Sequence, residues 1–307
     1  MQSFLDKLPK GYRELFGISE ILNPECLAEA RATAFTWTEL PGRVCLGLNR
    51  RYYDEAAAND HIVAIVASRA AVSAPPAKKK AVIISDKPDE LFYAVHNTAI
   101  HEPDAKTAVK GTVHKSARIA ASAVVGPEVS VGAGSVVGEG ALLTGPVSVG
   151  EGCVIHPHAT IGTFGLFAKT ILGKKMHVQH FGGVVIGDGS VVYTAANIAR
   201  SVNYGEATRI GREVHVGLHV NVGHDCSIGD RTDISGLSLI AGRVEIGEDC
   251  WIGANAVIAN ALTIGKGSKI RIGSVVIDDL PPGSDVSGNF ALPHATRLKE
   301  HLAAKRR

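Results

Sequence analysis

The 307 residues carry 45% apolar and 20% charged side chains with a formal net charge of +2, enough hydrophobic content for a packed core and too little basic excess for a nucleic-acid partner. Glycine is abundant at 34 residues and aromatics are scarce at 5%, which favours many tight turns over an aromatic-rich core. The N-terminus lacks a long apolar stretch and Ile62 to Ala67 is far short of the roughly 20 residues a membrane span needs, so a cytoplasmic protein is expected. Five cysteines without a CxxC spacing point to neither a disulfide framework nor a zinc ribbon.

Residues 1–105 read as a separate α/β domain. Val44 to Leu48, Ile62 to Ala67 and Ala81 to Ser85 have the composition of strands. Pro88 to Asn97 reads as a helix, with Pro88 suited to the first turn and Ser85 or Asp86 ahead of it as capping residues. Ser73 to Lys80 (SAPPAKKK) is a polar turn.

From Val113 an aliphatic residue returns every six positions, through Ile119, Val125, Val131, Val137, Leu143, Val149 and Ile155 to Ile161. The period resumes at Ile186 and runs to Val276, broken only by Tyr204. Each unit is one short strand and a turn, and three strands close a triangular coil, so a parallel β-helix over 106–280 is expected. The 25 units correspond to about eight coils and a prism roughly 40 Å tall. Glycine follows many inward residues (Gly126, Gly132, Gly138, Gly150, Gly162), where it would permit the corner conformation. Cys153, Cys226 and Cys250 fall in the small-residue slot and read as core. The phase slips between Ile161 and Ile186, so 163–185 must contain a loop outside the coils, a candidate functional insertion. Residues 281–307 read as a turn followed by a basic helix from Leu292 to Arg307, which is either a solvated cap or a dock for an acidic partner such as acyl carrier protein.

Polar side chains have little place in an aliphatic ladder except at corners, and His215, His219 and His224 lie close together there, with His180 in the insertion. Neutral imidazole near physiological pH is suited to removing a proton from an attacking amine or hydroxyl. In acyl transfer from a thioester, a histidine base and a backbone N–H for the oxyanion suffice. The sequence contains no GxSxG elbow, and no covalent enzyme nucleophile is needed.

The run from Gly183 to Gly242, including VNVGHDCSIGD, resembles the UDP-3-O-(3-hydroxyacyl)glucosamine N-acyltransferase family of lipid A synthesis. LNRRYYDEA with AVIISDKPDELF resembles that family's uridine-binding domain, and SGNFALPHATRL its segment before a C-terminal helix. The resemblance implies a left-handed β-helix, an exception to the right-handed crossover rule, and a homotrimer with sites between neighbouring prisms. It places His224 as general base and the Gly242 amide as oxyanion donor, with Asn49 and Tyr52 on the nucleotide. His180 and His219 are further candidates for substrate binding, and Lys169, Lys174 and Lys175 are candidates for phosphate or ordinary surface charge. The acyl donor would be acyl carrier protein or coenzyme A as a co-substrate, with no permanently bound cofactor, and the acceptor a nucleotide-linked amino sugar of lipid A, lipopolysaccharide or another surface polysaccharide.

The sequence departs from that family in places. A second family histidine aligns with Ala261, the family's aspartate before the base aligns with Gly217, and the insertion's Asp-Gly-Phe-Gly pattern reads Phe164, Gly165, Leu166, Phe167. GHDCSIGD is also similar to the acetyl-CoA-dependent N-acetyltransferases of nucleotide 4-amino sugars, whose histidine base has a carboxylate beside it. Asp225 is thus a candidate to orient or balance His224, although alternation along a strand sends neighbours to opposite faces and argues against a direct pair. Two readings of other classes stand beside these. One is a zinc protein resembling γ-class carbonic anhydrases, from the five-residue spacing of His219 and His224, for which a third ligand is missing. The other is a trimer that binds a nucleotide sugar without catalysis.

Overall fold

The computed structural model describes residues 11–76, 79–98, 110–288 and 302–304. The N-terminal strands β1 (Ile18–Leu22), β2 (Ala32–Ala34), β3 (Arg43–Gly47), β4 (Ile62–Ala67) and β5 (Ala81–Ser85) form one sheet in the order β1-β5-β4-β3-β2. β2 to β5 run parallel and β1 is antiparallel. The uninterrupted apolar run of β4 fits its central place, because a parallel strand covered on both faces has no polar side to alternate with. Helix α1 (Tyr12–Leu15) precedes the sheet, α2 (Arg50–Ala58) crosses from β3 to β4, and α3 (Pro88–Asn97) follows β5. The strands expected from composition and the helix at Pro88 are observed within one residue. The capping differs: Lys87 is the N-cap of α3 and no side chain caps it. Ser85 Oγ accepts the Lys87 N–H just outside the helix and donates its own hydrogen to the Phe16 carbonyl.

From 111 to 286 the chain winds as a left-handed parallel β-helix with three sheets. The first face carries Val131, Val149, Ile186 and Ile210 inward, the second Val137, Ile155, Val192 and Val216, the third Leu143, Ile161, Ile198 and Val222. These side chains are at most 2% exposed, and their contacts run up the axis as one core. Each fully buried Leu, Ile or Val contributes roughly 1.5–3 kcal/mol. The last rung is Asp285–Val286, paired with Lys269–Ile270, within the turn expected at 281–287. The basic helix from Leu292 lies outside the described residues apart from a helical turn at 302–304.

Partners in adjacent coils normally stand 18 positions apart, as Val131 and Val149 do. Val149 pairs with Ile186, 37 positions on, which marks the insertion. It is an antiparallel hairpin, Ala168–Ile171 with Lys174–His177, joined by Leu172 and Gly173, both at positive φ as a two-residue turn demands. A second departure was hidden. Ile198 pairs with Val222, 24 positions on, and Ile186 with Ile210 on the first face, so Tyr204 is not a rung of the ladder. It belongs to an excursion of six extra residues that preserves the phase, and the periodic reading therefore passed straight through it.

The glycines after inward residues serve a different purpose from the one expected. A Cβ on Gly132 would stand 2.4 Å from the Gly150 carbonyl oxygen of the next coil, so it is close stacking that excludes a side chain. The left-handed corner residue comes two positions later and is frequently not glycine: His158, Ala195, His219, Asp225 and Arg243 all have φ between 54° and 64°.

The N-terminal domain is clamped onto both departures. Asp89 of α3 accepts from Lys169 Nζ at 3.1 Å, Asn97 Nδ2 donates to the His177 carbonyl, and Thr38 Oγ1 donates to Glu206. Ile171, Val178 and Val202 join the apolar cluster beneath α3. Among the described residues no helix is long and apolar enough to cross a membrane.

Candidate active site

One corner of the prism, between the third and first faces, gathers everything irregular. The hairpin leaves it after Ile161, the excursion leaves it after Ile198, His224 occupies it after Val222, and Gly242 follows after Ile240. At that corner His224 Nδ1 lies 2.7 Å from Asp225 Oδ2. The two residues do pair directly, against the alternation argument, because Asp225 is not in a strand: at φ 60° it is the left-handed corner residue, and the chain's turn brings both side chains to one side. Asp225 is further held by Ser201 Oγ, by the Val202 N–H at 3.2 Å, and through its own N–H donated to Thr208 Oγ1. All three of these partners come from the excursion and the strand after it. With the Nδ1–H directed at a carboxylate, the neutral imidazole of His224 carries its lone pair on Nε2.

The Nε2 edge of His224 faces open backbone. A Cβ on Gly242 would lie 2.8 Å from Nε2, and one on Gly165 would lie 3.1 Å from Cδ2. Phe167 stacks parallel to the imidazole at 5.3 Å, which fixes the plane of the ring. His180 stands edge-on to His224 with centroids 5.4 Å apart. It is fully buried, its Nδ1–H donates to the Val178 carbonyl at 2.9 Å, and burial, with His224 nearby, lowers its pKa to about 4. Beneath it, His96 donates to the Gln179 carbonyl and meets Thr33 Oγ1 at 2.6 Å, and burial lowers its pKa to about 4 as well. Neutral histidines thus tie α3 to the hairpin at the point where it enters the site.

Beside the dyad lies a pocket of about 240 Å³ between the N-terminal domain and the prism, lined among others by Phe35, Trp37, Tyr52, Tyr93, Phe167 and Arg243. Phe35 and Trp37 are stacked at 4.8 Å and the Arg243 guanidinium sits 5.7 Å from the Phe35 ring centre. Phe167 belongs to this wall and also stacks on His224, so a single ring stands between the pocket and the dyad.

Of the residues singled out from sequence, His224, Asp225, Gly242 and His180 are brought together. Tyr52 lines the pocket, whereas Asn49 is the N-cap of α2 and accepts the Tyr52 N–H at 3.1 Å, so it positions the tyrosine's helix. His219 lies on a different corner, between the second and third faces, and within one chain does not join His224. His215 is exposed and faces Asp233. Lys169 is engaged by Asp89 and lies over the Tyr93 ring, while Lys174 and Lys175 are exposed. The three core cysteines are buried, and burial pushes the Cys226 thiol up to about 12. Ser201, Thr208, Phe35, Trp37 and Arg243 went unread; Arg243, next to Gly242 at the corner register, is the one that spacing marks.

Residues 243–278 match the family described as bacterial transferase hexapeptide (six repeats). Curated proteins match over short stretches, and two serve as examples. One is 2,3,4,5-tetrahydropyridine-2,6-dicarboxylate N-acetyltransferase of Clostridium perfringens, 52% identical over 46 residues, or 15% of this chain and 20% of that protein. The other is a Staphylococcus aureus protein named as an acetyltransferase, 45% identical over 49 residues, or 16% of this chain and 25% of that protein. The chain thus spans a quarter or less of these relatives. Among solved structures, the UDP-N-acetylglucosamine acyltransferase of Campylobacter jejuni is similar with a TM-score of 0.45 and 22% identity, over 62% of this chain and 83% of that one. The family match thus falls on the last coils of the β-helix, whose six-residue repeat is the one that family describes.

Proposed function

We propose that the protein is an N-acyltransferase that moves an acyl group from a thioester to the amine of a nucleotide-linked amino sugar. The observation that carries this reading is the His224–Asp225 pair, with Nε2 directed at the gap between Gly242 and Gly165 and the aromatic pocket alongside. The carboxylate holds His224 in the tautomer that keeps Nε2 basic and stabilises the imidazolium formed when the ring takes the amine's proton. Ser201 bonds Asp225 rather than the imidazole, so it is not an activated nucleophile and transfer is direct from donor to acceptor. Gly242 N–H has no hydrogen-bond acceptor among the described residues and serves the oxyanion of the tetrahedral intermediate. Phe35 and Trp37 offer faces for a nucleobase, Tyr52 an edge, and Arg243 a charge for phosphate.

The donor is acyl carrier protein or coenzyme A in the cytoplasm, and the names of the matched relatives favour a short acyl group such as acetyl. An exposed apolar stripe including Leu218, Leu237, Leu239, Ile272 and Val275 runs along the third face and its corner and supports assembly as a homotrimer. His219 stands beside this stripe, so its contribution would reach the site of a neighbouring protomer. The test is a mass-spectrometric screen of UDP-, GDP- and dTDP-amino sugars against acetyl-CoA and 3-hydroxyacyl donors. N-acylated product is expected for at least one pairing, and its absence from all of them defeats the reading.

A further inference from the structure

We infer that His180 is a specificity-determining residue, which selects an amine over a hydroxyl acceptor by accepting a hydrogen bond from the N–H that the nucleophile retains. The inference rests on the acyl-transfer reading with His224 as base.

His180 is completely buried, and its Nε2 has no hydrogen-bond partner among the described residues. An unpaired buried acceptor is destabilising, so a protein that keeps one pointing at its site calls for an explanation. The tautomer is fixed, because the Val178 carbonyl can only accept and therefore holds the proton on Nδ1. Nε2 is left as a pure acceptor, and desolvation keeps the ring neutral at physiological pH. The place of Gly165's absent Cβ lies 3.4 Å from this nitrogen and 3.1 Å from His224 Cδ2, so the two imidazoles flank one small space. Phe164 stacks on the face of this imidazole at 5.3 Å and is 46% exposed, while Nε2, in the ring plane, is directed toward Gly165.

Two acceptors around one nucleophile suit an amine. The amine lone pair forms the C–N bond to the thioester carbonyl carbon while the carbonyl electron pair moves to oxygen. One proton of the resulting ammonium goes to His224 Nε2. Collapse breaks the C–S bond, and His224 returns the proton to the departing thiolate, giving amide and thiol. The nitrogen keeps one N–H throughout, and in a desolvated site that hydrogen needs an acceptor. A hydroxyl keeps none after giving its proton to His224, so its oxygen lone pairs would face the lone pair of His180.

The test takes the amino-sugar nucleotide and thioester that yield product with the wild-type protein, together with the acceptor's hydroxyl counterpart, as UDP-glucose is for UDP-glucosamine. His180→Phe is expected to lower kcat/KM for the amine about 100-fold, as loss of a buried hydrogen-bond partner does, and to change that for the hydroxyl acceptor less than about threefold. His180→Gln, which offers an amide oxygen, should stay within about tenfold of wild type on the amine. Equal losses on both acceptors, or no loss on the amine, overturn the role of His180. His224→Ala separates the two claims: it should abolish transfer to either acceptor, and activity surviving there overturns the reading beneath. Should His180→Phe not fold, the ¹⁵N shift of His180 Nε2 in the wild-type protein decides. It should move upfield on adding the N-acylated product and stay put with the corresponding O-acylated ester, whose linking oxygen carries no hydrogen, and an unmoved resonance with the N-acylated product overturns the proposal.

Discussion

Replacing Asp225 with asparagine isolates what the carboxylate does. Asparagine tolerates the left-handed corner at φ 60°, so the backbone should hold. Its amide oxygen can still accept from Ser201 Oγ and Val202 N–H, which leaves the anchoring of the excursion largely intact. The amide nitrogen would then face His224 Nδ1 and, being a donor, would force the imidazole to place its proton on Nε2, the nitrogen that must take a proton from the acceptor. A charge-assisted hydrogen bond worth about 1.5–3 kcal/mol is lost, and restoring the productive tautomer requires two donors to face each other. Together these effects put the barrier up by roughly 3–4 kcal/mol, or about 10²- to 10³-fold in kcat. KM should change much less than kcat, because the substitution keeps the size of the side chain and leaves Phe35, Trp37 and Arg243 in place. Steady-state kinetics on the Asp225→Asn protein, with a melting curve to confirm folding, makes the comparison. A fall in kcat of less than about threefold would refute the positioning argument.

Gly242→Ala places a methyl 2.8 Å from His224 Nε2 and should reduce kcat/KM by at least about 100-fold while nucleotide binding, measured by calorimetry, stays within a few fold. Trp37→Ala removes half of the stacked pair and should raise KM for the nucleotide sugar about tenfold with kcat nearly unchanged, since base stacking is worth about 1–3 kcal/mol. Acid should weaken the fold. His96 is held neutral down to about pH 4, so between about 6.5 and 4 the unfolded chain binds the proton that the folded chain refuses, and stability falls as pH drops through that window. The loss amounts to roughly 3 kcal/mol by pH 4. Urea titrations from pH 7 to 4 should show this slope in the wild type and a flatter one in His96→Gln; equal slopes would exclude His96 as the cause.

The prism was legible because a buried aliphatic residue every six positions admits few other arrangements. The corner argument marked His215, His219 and His224 alike, because a corner is where a solenoid can carry polar chemistry, and it took the family resemblance around GHDCSIGD to single out His224. The excursion at Tyr204 was invisible for the same reason that the ladder was visible: six extra residues leave the phase untouched, and only strand pairing exposes them. The Asp225 contact was misjudged by applying strand alternation to a residue whose backbone is left-handed. Phe35 and Trp37 lie just after the edge strand β2, in a stretch that carries no periodic signal, and their place against Phe167 and Arg243 follows from how two domains dock. Gly242 was reached through the family resemblance and Arg243 not at all, although they lie 18 positions after His224 and Asp225 and so share their corner register.

On the proposed function, the His224–Asp225 corner performs acyl transfer to a nucleotide-bound amine. The most direct measurement compares wild-type and His224→Ala proteins for N-acylated product by mass spectrometry and for nucleotide-sugar binding by calorimetry. Product formation should fall by at least about 10³-fold while the dissociation constant stays within about threefold. Undiminished product from the His224→Ala protein would contradict that function.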